Sequence, residues 1–322
     1  MKSARRPALT CVCYHDIAAR ESAATAGLGI TTTPTTFAEH LDYFTSRYNV
    51  VGLDAVLAGE LPERPLLITF DDAYRSVLTN AAPMLAERRL PAVMFANARP
   101  IRDAFVPPEN MLALSAAQWG IDDLSRLVSN GRFEAETLLD LIGGYASRLA
   151  PTELQDMSAV ILAKLGQTQA QLHRDLGLFL EPDDLKRLAD FGIEIGNHTR
   201  SHVRCRALDA RELNSEIVSA KDELEEMSGR TVRGFSFPWG HEDDATPEAL
   251  AAIRSSDHRG IFLVHARHNS ERPAKDIWYR VVMTNESVQQ LPWVLSIKPR
   301  LRSLVQRWRR GREDGARMKQ RA

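Results

Sequence analysis

The stretch Leu66-Leu67-Ile68-Thr69-Phe70-Asp71-Asp72 decides the fold, because its apolar residues follow one another without the alternation of a half-exposed strand. Such a run is typical of a strand buried on both faces, as in a parallel sheet covered by helices. Two adjacent carboxylates at its end are unusual, because each disfavours the negative charge of the other. A bound cation, or different pKa values for the two acids, would resolve that conflict. Taken alone, the pair is equally well explained as a helix N-cap with a spare acid.

Short apolar runs of the same kind recur along the chain, with helix-forming stretches between them. This alternation is typical of repeated βα units around a mostly parallel sheet or barrel, so we predict an α/β fold. The predicted strands are Thr10–Tyr14, Asn49–Val51, Leu66–Phe70, Ala92–Ala96, Ile193–Gly196, Gly234–Phe237, Ile261–Val264 and Ile277–Met283.

Several of the intervening helices carry start and stop signals. Thr36 followed by Glu39 has the spacing of a capping box, which predicts a helix start at that point. From Asp209, apolar residues keep one helical face as far as Gly229, which supplies a stop. Residues 99–176 show amphipathic helical patterns and no strand pattern, so we expect a helical insertion there and not a structureless loop.

The last part of the chain is strongly basic. The chain has 41 Lys and Arg against 42 Asp and Glu, but residues 298–322 hold ten basic and two acidic residues, or +8, which leaves −9 for the remainder. From Trp293 to Trp308, apolar residues recur at near-helical spacing among the arginines. A basic amphipathic helix suits an anionic membrane surface, and a terminal helix packed on the body explains the pattern equally well. Because the rest is acidic, we expect no nucleic-acid partner.

These patterns divide the 322 residues into three predicted parts. They are residues 1–98 plus 177–290 as an α/β barrel, 99–176 as a helical insertion within it, and 291–322 as a basic amphipathic tail.

Composition favours a cytoplasmic protein. No apolar stretch approaches the ~18 residues of a membrane span, and three cysteines imply no disulfide framework. The basic start, Met1 to Arg6, resembles that of a secretory signal, but the apolar run after it is short and lacks a small-residue cleavage site.

Two further motifs follow predicted strands. His198 and His202 are four residues apart, a spacing that places two imidazoles on one face of a helical turn and suits a metal such as Zn²⁺. The second motif is Phe235-Ser236-Phe237-Pro238-Trp239-Gly240, which alone reads as a strand and a tight turn. In a parallel barrel the loops after the strands share one end, where active sites assemble. Three motifs at three strand ends therefore favour a metal site.

The combination of motifs resembles a known family. Cys13-Tyr14-His15, Thr69–Tyr74, Asn197–His202 and Phe235–Gly240, in this order, are similar to the NodB-type polysaccharide deacetylases of carbohydrate esterase family four. The resemblance implies a deformed (β/α) barrel of mostly parallel strands. It also implies metal-dependent removal of an acetyl group from a sugar, with one divalent ion, Zn²⁺ being our first choice.

The resemblance also implies roles for individual residues. It implies metal ligands at Asp72, His198 and His202, and a general base at Asp71. The backbone N–H of Trp239 corresponds to the oxyanion donor. Further residues are expected to line or brace the pocket; they are His15, Tyr74, Thr199, Phe237 and Pro238.

The sequence departs from the family pattern at three points. Ala73 replaces the usual Gly after the two acids, which we expect to matter little if its φ is negative. Ser236 stands where an Arg is usual, so Arg280 is a candidate to orient Asp71, with a surface salt bridge as the alternative. The usual acid histidine is missing, and His265 is the first candidate for that role, ahead of His241 and His268.

We therefore expect a cytoplasmic deacetylase that acts on an N-acetylated saccharide or glycolipid, peripheral at the inner membrane face if the tail binds lipid. Two alternatives stay open at this point. The same scaffold could hydrolyse another C–N bond, in a formamide or a cyclic ureide, or the protein could be a catalytically silent saccharide-binding protein.

Overall fold

Ten parallel-paired strands occur in the residues that the computed structural model describes, 8–265, 267–271 and 274–302. They are β1 (Thr10–Tyr14), β2 (Asp16–Ile17), β3 (Thr31–Thr32), β4 (Asn49–Val50), β5 (Pro65–Asp71), β6 (Ala92–Ala96), β7 (Ile193–Asn197), β8 (Gly234–Ser236), β9 (Gly260–Val264) and β10 (Ile277–Val282).

Seven of these strands close into a barrel. Their order is β1-β10-β9-β8-β7-β6-β5, and β5 pairs back to β1 from Thr10↔Leu66 to Tyr14↔Phe70. β4 extends the sheet beside β5, and β2 with β3 forms a separate ribbon. The eight predicted strands are present with ends within one residue, and the predicted parallel (β/α) barrel is confirmed. The two-residue strands β2 and β3 were not predicted.

Thirteen α-helices cover the described part of the chain. They are α1 (Pro34–Arg47), α2 (Leu53–Ala58), α3 (Ala82–Glu87), α4 (Ala98–Arg102), α5 (Pro108–Trp119), α6 (Ile121–Ser129), α7 (Leu138–Gly144), α8 (Pro151–Leu165), α9 (Gln169–Leu176), α10 (Pro182–Asp190), α11 (Ala210–Leu213), α12 (Ala220–Ser228) and α13 (Pro247–Ser255).

The start of α1 corrects one prediction. Its N-cap is Thr33, whose hydroxyl accepts a hydrogen bond from the backbone N–H of Thr36, and Pro34 occupies the first helical position. The predicted capping box at Thr36 and Glu39 is therefore wrong, because proline suits the first turn and moves the start three residues earlier. The helix predicted from Asp209 to Gly229 is confirmed: Asp209 caps it, and Gly229 ends it with φ +66°.

The barrel and the helices inserted after β6 have separate apolar cores. Buried residues of β1, β5 and β6 pack with α1 and α10 in the barrel core. A second cluster joins Met111 of α5, Leu141 of α7 and Ile161 of α8 to Tyr74 and Phe179 at the barrel edge. Helices α4–α9 fill the region where the sequence predicts helices without strands, and we keep 99–176 as the proposed bounds of the insertion.

The chain after β10 is helical over residues 291–302. Leu291 and Leu295 are buried against the body, whereas Trp293, Ile297 and Leu301 are 50%, 46% and 47% exposed. Residues 303–322 of the predicted tail lie outside the described residues. Among the described helices, none combines the length and the apolar character that a bilayer span requires.

Candidate metal centre

The carboxyl ends of the barrel strands bring three predicted ligands together. Asp72 follows β5, and His198 and His202 follow β7. One ligand atom from each of the three lies within 4.8 Å of the others. Nε2 of His198 is 3.4 Å from Oδ1 of Asp72, and Nε2 of His202 is 3.3 Å from the same oxygen. Residues that are distant in sequence thus share one point at the end of the barrel.

The donor atoms fit a divalent cation. Nδ1 of His198 lies 2.8 Å from the backbone carbonyl oxygen of Ser236, to which it donates when protonated, so that Nε2 is left as an acceptor. Oδ1 of Asp72 is buried and has no hydrogen-bond partner among the described residues. Burial acts to raise the pKa of Asp72, but His202 and His198 outweigh it and lower the pKa. An ionised oxygen that faces two imidazole nitrogens is a suitable ligand set.

Asp71 lies beside this group, with its Oδ2 3.7 Å from Nε2 of His198, and both of its oxygens are bound by a buried arginine. Arg280 of β10 is fully buried, and its Nη1 and Nη2 donate to Oδ1 and Oδ2 of Asp71 at 2.7 and 2.6 Å. The alternative of a surface salt bridge therefore does not hold. Burial would raise the pKa of Asp71, but Arg280 outweighs it and holds the pKa below its usual value. Arg280 also donates to the hydroxyl of Ser236, the residue that stands where the family pattern has Arg.

A second group of potential ligands lies beside Asp71. Atoms of Cys13, His15 and Asp71 also approach within 4.8 Å of one another, and the Cys13 thiol donates to Oδ2 of Asp71 at 3.4 Å. Both oxygens of Asp71 already accept bonds from Arg280, whose positive charge opposes a cation. Of these two groups among the described residues, the one formed by Asp72 and the two histidines suits a metal better.

A cavity of about 220 Å³ opens over the site. His15 and Tyr74 line it together with Asp71, Asp72 and the two histidines. Nδ1 of His15 is buried without a hydrogen-bond partner among the described residues, and burial lowers the pKa of His15.

The predicted acid candidate His265 lies elsewhere. Its ring packs on that of Tyr279, with 5.9 Å between centroids, and the preceding residue, Val264, is the one that lines the cavity. The structure therefore places His15, and not His265, beside Asp71.

The remaining predicted pocket residues support the loops from behind. Oγ1 of Thr199 accepts a hydrogen bond from the backbone N–H of His202 at 3.1 Å, which braces the loop that carries the second ligand. Phe237 packs edge-on against Phe235 in a core cluster and Pro238 is also buried, and neither is among the residues that line the cavity. The indole ring of Trp239 does line the cavity, 5.8 Å from the ring of His202.

The loops of the site contain unusual backbone geometry. Five non-glycine residues of these loops have φ between +58° and +69°, and they are half of the ten left-handed non-glycine residues in the described chain. Left-handed backbone in such residues costs of order 1–3 kcal/mol and tends to cluster at functional sites. The condition under which Ala73 would matter little, a negative φ, is not met, because its φ is +58° and the usual glycine would avoid the steric cost. The five residues are Asp72, Ala73, Thr199, His202 and Trp239.

One contact at the site was not predicted. Oε1 of Glu109, from the first turn of α5, contacts Nδ1 of His202. Glu109 also lines the cavity. The sequence offers only a weak sign of it, a polar pair after Pro107-Pro108, because the contact joins the insertion to a loop far along the chain.

Comparisons with known proteins agree with the geometry. The family model "Polysaccharide deacetylase" matches residues 58–255, more than half of the chain. That match includes Asp71, Asp72, His198 and His202 but ends before Arg280. Comparison with curated proteins gives no match.

Solved structures share the fold at low sequence identity. The Streptococcus pyogenes deacetylase PplD, solved with acetate, is 14% identical with a TM-score of 0.59, over 90% of this chain and 98% of that one. IcaB from Ammonifex degensii is 18% identical with a TM-score of 0.55, over 91% and 97%. A de-N-acetylase from Aggregatibacter actinomycetemcomitans is 15% identical with a TM-score of 0.52, over 87% and 96%. With the family match, these findings confirm the enzyme class predicted from the motifs, a carbohydrate deacetylase that hydrolyses a carbon–nitrogen bond, and the chain belongs to the polysaccharide deacetylase family.

Proposed function

We propose that the protein removes an N-acetyl group from an amino sugar in a saccharide or glycolipid, with one divalent metal ion, Zn²⁺ being our first choice. The observation that carries this proposal is the meeting of Asp72, His198 and His202 within 4.8 Å, beside an Asp71 that is bound on both oxygens by Arg280. Two imidazoles and one carboxylate form a zinc ligand set that leaves a coordination position open.

The residues around this site divide the chemistry among them. A divalent ion bound there would polarise the acetyl carbonyl and lower the pKa of water towards neutrality. Asp71 is ionised at neutral pH, since its pKa lies below the usual value, and it accepts a proton from the attacking water. Arg280 fixes the orientation of that carboxylate through its two bonds. The backbone N–H of Trp239 donates to the carbonyl oxygen as negative charge develops.

His15 is our candidate to pass to the leaving amine the proton that Asp71 takes from the attacking water, because burial lowers the pKa of His15 and leaves it neutral before that transfer. It lines the cavity next to Asp71, whereas His265 packs on Tyr279. A general acid must lie within hydrogen-bond reach of the group that it protonates, so position decides between the two. We expect His15→Gln to lower kcat far more than His265→Gln, measured as amine release under metal saturation. The reverse order would assign the acid to His265.

An apolar recess next to the cavity favours an acetyl over a formyl group. It lies between the insertion and the barrel, is lined by residues such as Leu112, Ile142 and Trp239, and has a volume of about 30 Å³, enough for a methyl-sized group. Product analysis tests this choice on a panel of N-acylated hexosamines and a cyclic ureide. Acetate supports the proposal, whereas formate or a ring-opened acid as the main product contradicts it.

Metal content and turnover of three variants test the site. Asp72→Ala and His198→Ala should lose both bound metal and acetate release. Asp71→Asn should keep the metal and lose turnover by about 10²–10⁴-fold, the usual range for a general base. A fully active Asp71→Asn enzyme would show that the base is assigned wrongly. Undiminished acetate release by a wild-type enzyme stripped of metal would contradict metal dependence.

We also propose a cytoplasmic enzyme that contacts the anionic inner membrane face through the helix at 291–302. Trp293, Ile297 and Leu301 are exposed at four-residue spacing, next to Lys298 and Arg300. Sedimentation with phosphatidylserine-containing vesicles provides the measurement.

The matched comparison uses two sets of exposed apolar residues. Serine at Trp293, Ile297 and Leu301 should abolish sedimentation, whereas Leu139→Ser with Val160→Ser, on exposed residues of the insertion, should not. Equal sedimentation of all these proteins would rule out the helix as the contact.

A further inference from the structure

His202 is met on both ring nitrogens by acidic side chains. Its Nε2 lies 3.3 Å from Oδ1 of Asp72, and its Nδ1 contacts Oε1 of Glu109. The side chains of His202 and Glu109 are only 8% and 12% exposed. A carboxylate this deeply buried is costly unless a donor meets it, and the imidazole N–H is that donor. Nδ1 of His202 is buried and has no other hydrogen-bond partner among the described residues, so Glu109 is the acceptor within its reach.

The two histidines of the site are oriented by different parts of the molecule. Nδ1 of His198 is met by the backbone carbonyl oxygen of Ser236, an acceptor that any residue at position 236 would supply. Nδ1 of His202 is met by a side chain from α5, a helix of the insertion. Only the second arrangement depends on the identity of a residue outside the barrel strands and their loops.

Glu109 is held in a fixed position by its neighbours. The side-chain amide of Asn110 donates to the backbone carbonyl oxygen of Ala24 at 2.9 Å and to the hydroxyl oxygen of Tyr74 at 3.0 Å. Met111 is buried in the core of the insertion. The first turn of α5 is thus tied to the loop that begins with Asp71 and Asp72, and Glu109 reaches His202 from a rigid support.

We propose that Glu109 is a positioning residue of the metal centre: it accepts a hydrogen bond from Nδ1–H of His202, keeps Nε2 free as the ligand atom, and makes metal affinity depend on the insertion. This inference rests on the proposed function, because it takes His202 as a metal ligand. Carboxylates behind ligating imidazoles typically change metal affinity or activity by 10–100-fold.

Metal affinity of the full chain is the direct test. Above pH ~9, where protons no longer compete with the metal at His202, we expect Glu109→Gln to bind Zn²⁺ about 10–100-fold more weakly in competition with a chromophoric chelator. The visible absorption of the Co²⁺-loaded protein should also change, because the orientation and basicity of one ligand change. Glu136→Gln provides a matched control, since Glu136 is an exposed glutamate of the same insertion; it should behave as wild type.

The possible outcomes separate this inference from the proposed function. Wild-type affinity and an unchanged Co²⁺ spectrum in Glu109→Gln would overturn the role of Glu109. If Asp72→Ala nevertheless loses the metal, the proposed metal site itself still stands. A wild-type chain that binds no Zn²⁺ would overturn both. Circular dichroism of the metal-free proteins checks folding. If Glu109→Gln does not fold, Glu109→Asp takes its place, and undiminished affinity in that shorter side chain would also overturn the proposal.

Discussion

The barrel and the helical insertion contribute differently to the same site. The barrel supplies the side chains that we assign to chemistry, from the end of β5, from the loop after β7 and from β10. The insertion supplies part of the cavity wall and the carboxylate of Glu109. Their apolar cores are separate clusters that meet at residues such as Tyr74. The difference indicates that turnover depends mainly on the barrel, whereas metal affinity depends on both parts.

The largest effect should come from breaking the buried pair inside the barrel. Arg280→Met leaves Asp71 buried without its partner, which should destabilise the fold by about 3–5 kcal/mol. Burial then raises the pKa of Asp71, so a smaller fraction of the base is ionised at a given pH and turnover falls. Urea unfolding and a pH–rate profile measure these effects. The acid limb of the profile should move to higher pH, and an unmoved limb would contradict the role of Arg280.

A pair of leucine truncations compares the two cores directly. Leu141→Ala in α7 and Leu224→Ala in α12 each remove a fully buried side chain, one from the insertion and one from the barrel core. Each should lower the free energy of unfolding by about 2–5 kcal/mol. Only Leu141→Ala should also weaken Zn²⁺ binding, because α7 packs on the helix that carries Glu109. Equal affinities in the two variants would remove the distinction between the two parts.

The pH dependence of metal binding tests how the barrel and the insertion act together at His202. Burial lowers its pKa, but Glu109 and Asp72 outweigh burial and raise the pKa to about 9 in the metal-free protein. Binding must displace that proton, so Zn²⁺ affinity should rise about tenfold per pH unit from pH ~6.5 to ~9 and then level off. Titrations at a series of pH values measure it.

The Glu109→Gln variant tests whether Glu109 causes the dependence of Zn²⁺ affinity on pH. With the nearer carboxylate removed, the plateau should begin at a lower pH. In the wild-type metal-free protein, the raised pKa stabilises the fold below pH ~6.5 and this stabilisation is lost as pH rises through 9, so its Tm should fall over the same window. A Tm that rises over that window would contradict the assignment.

The smallest effect should come from the strained loop after β5. Ala73→Gly should raise the free energy of unfolding by about 0.5–1 kcal/mol, because φ +58° suits glycine and the strain outweighs the added freedom of the unfolded chain. Ala113→Gly, at a buried position inside α5, should lower it by at least a similar amount. Thermal unfolding of the two variants checks both signs.

The strands could be predicted from sequence because their burial on both faces leaves consecutive apolar residues, as in Leu66–Phe70. The parallel pairing of these strands then placed Asp72, His198 and His202 at one end of the barrel. The start of α1 could not be placed correctly, because Thr33 and Thr36 both suit an N-cap and only the position of Pro34 decides between them.

The rest of the site depends on contacts that local patterns do not encode. The choice between His15 and His265 follows from which side chain faces the cavity, and both residues directly follow a strand. In sequence, Glu109 looks like any acidic residue in the first turn of a helix. It contacts His202 only because α5 packs against the loop that carries His202. Ala73 is left-handed together with Asp72 in the same turn. An alanine in the sequence gives no sign of a positive φ, as a glycine would.

The position of Glu109 on α5, inside the insertion, has a consequence for engineering this enzyme. Exchange of an inserted segment is an obvious way to retarget a barrel enzyme to a new sugar, since such a segment walls the pocket. Here a replacement segment would also have to supply a hydrogen-bond acceptor for Nδ1 of His202, in place of Glu109. A chimera chosen for specificity alone would lose its metal ion at low zinc concentration. Added zinc during screening would then restore activity to variants that otherwise show none.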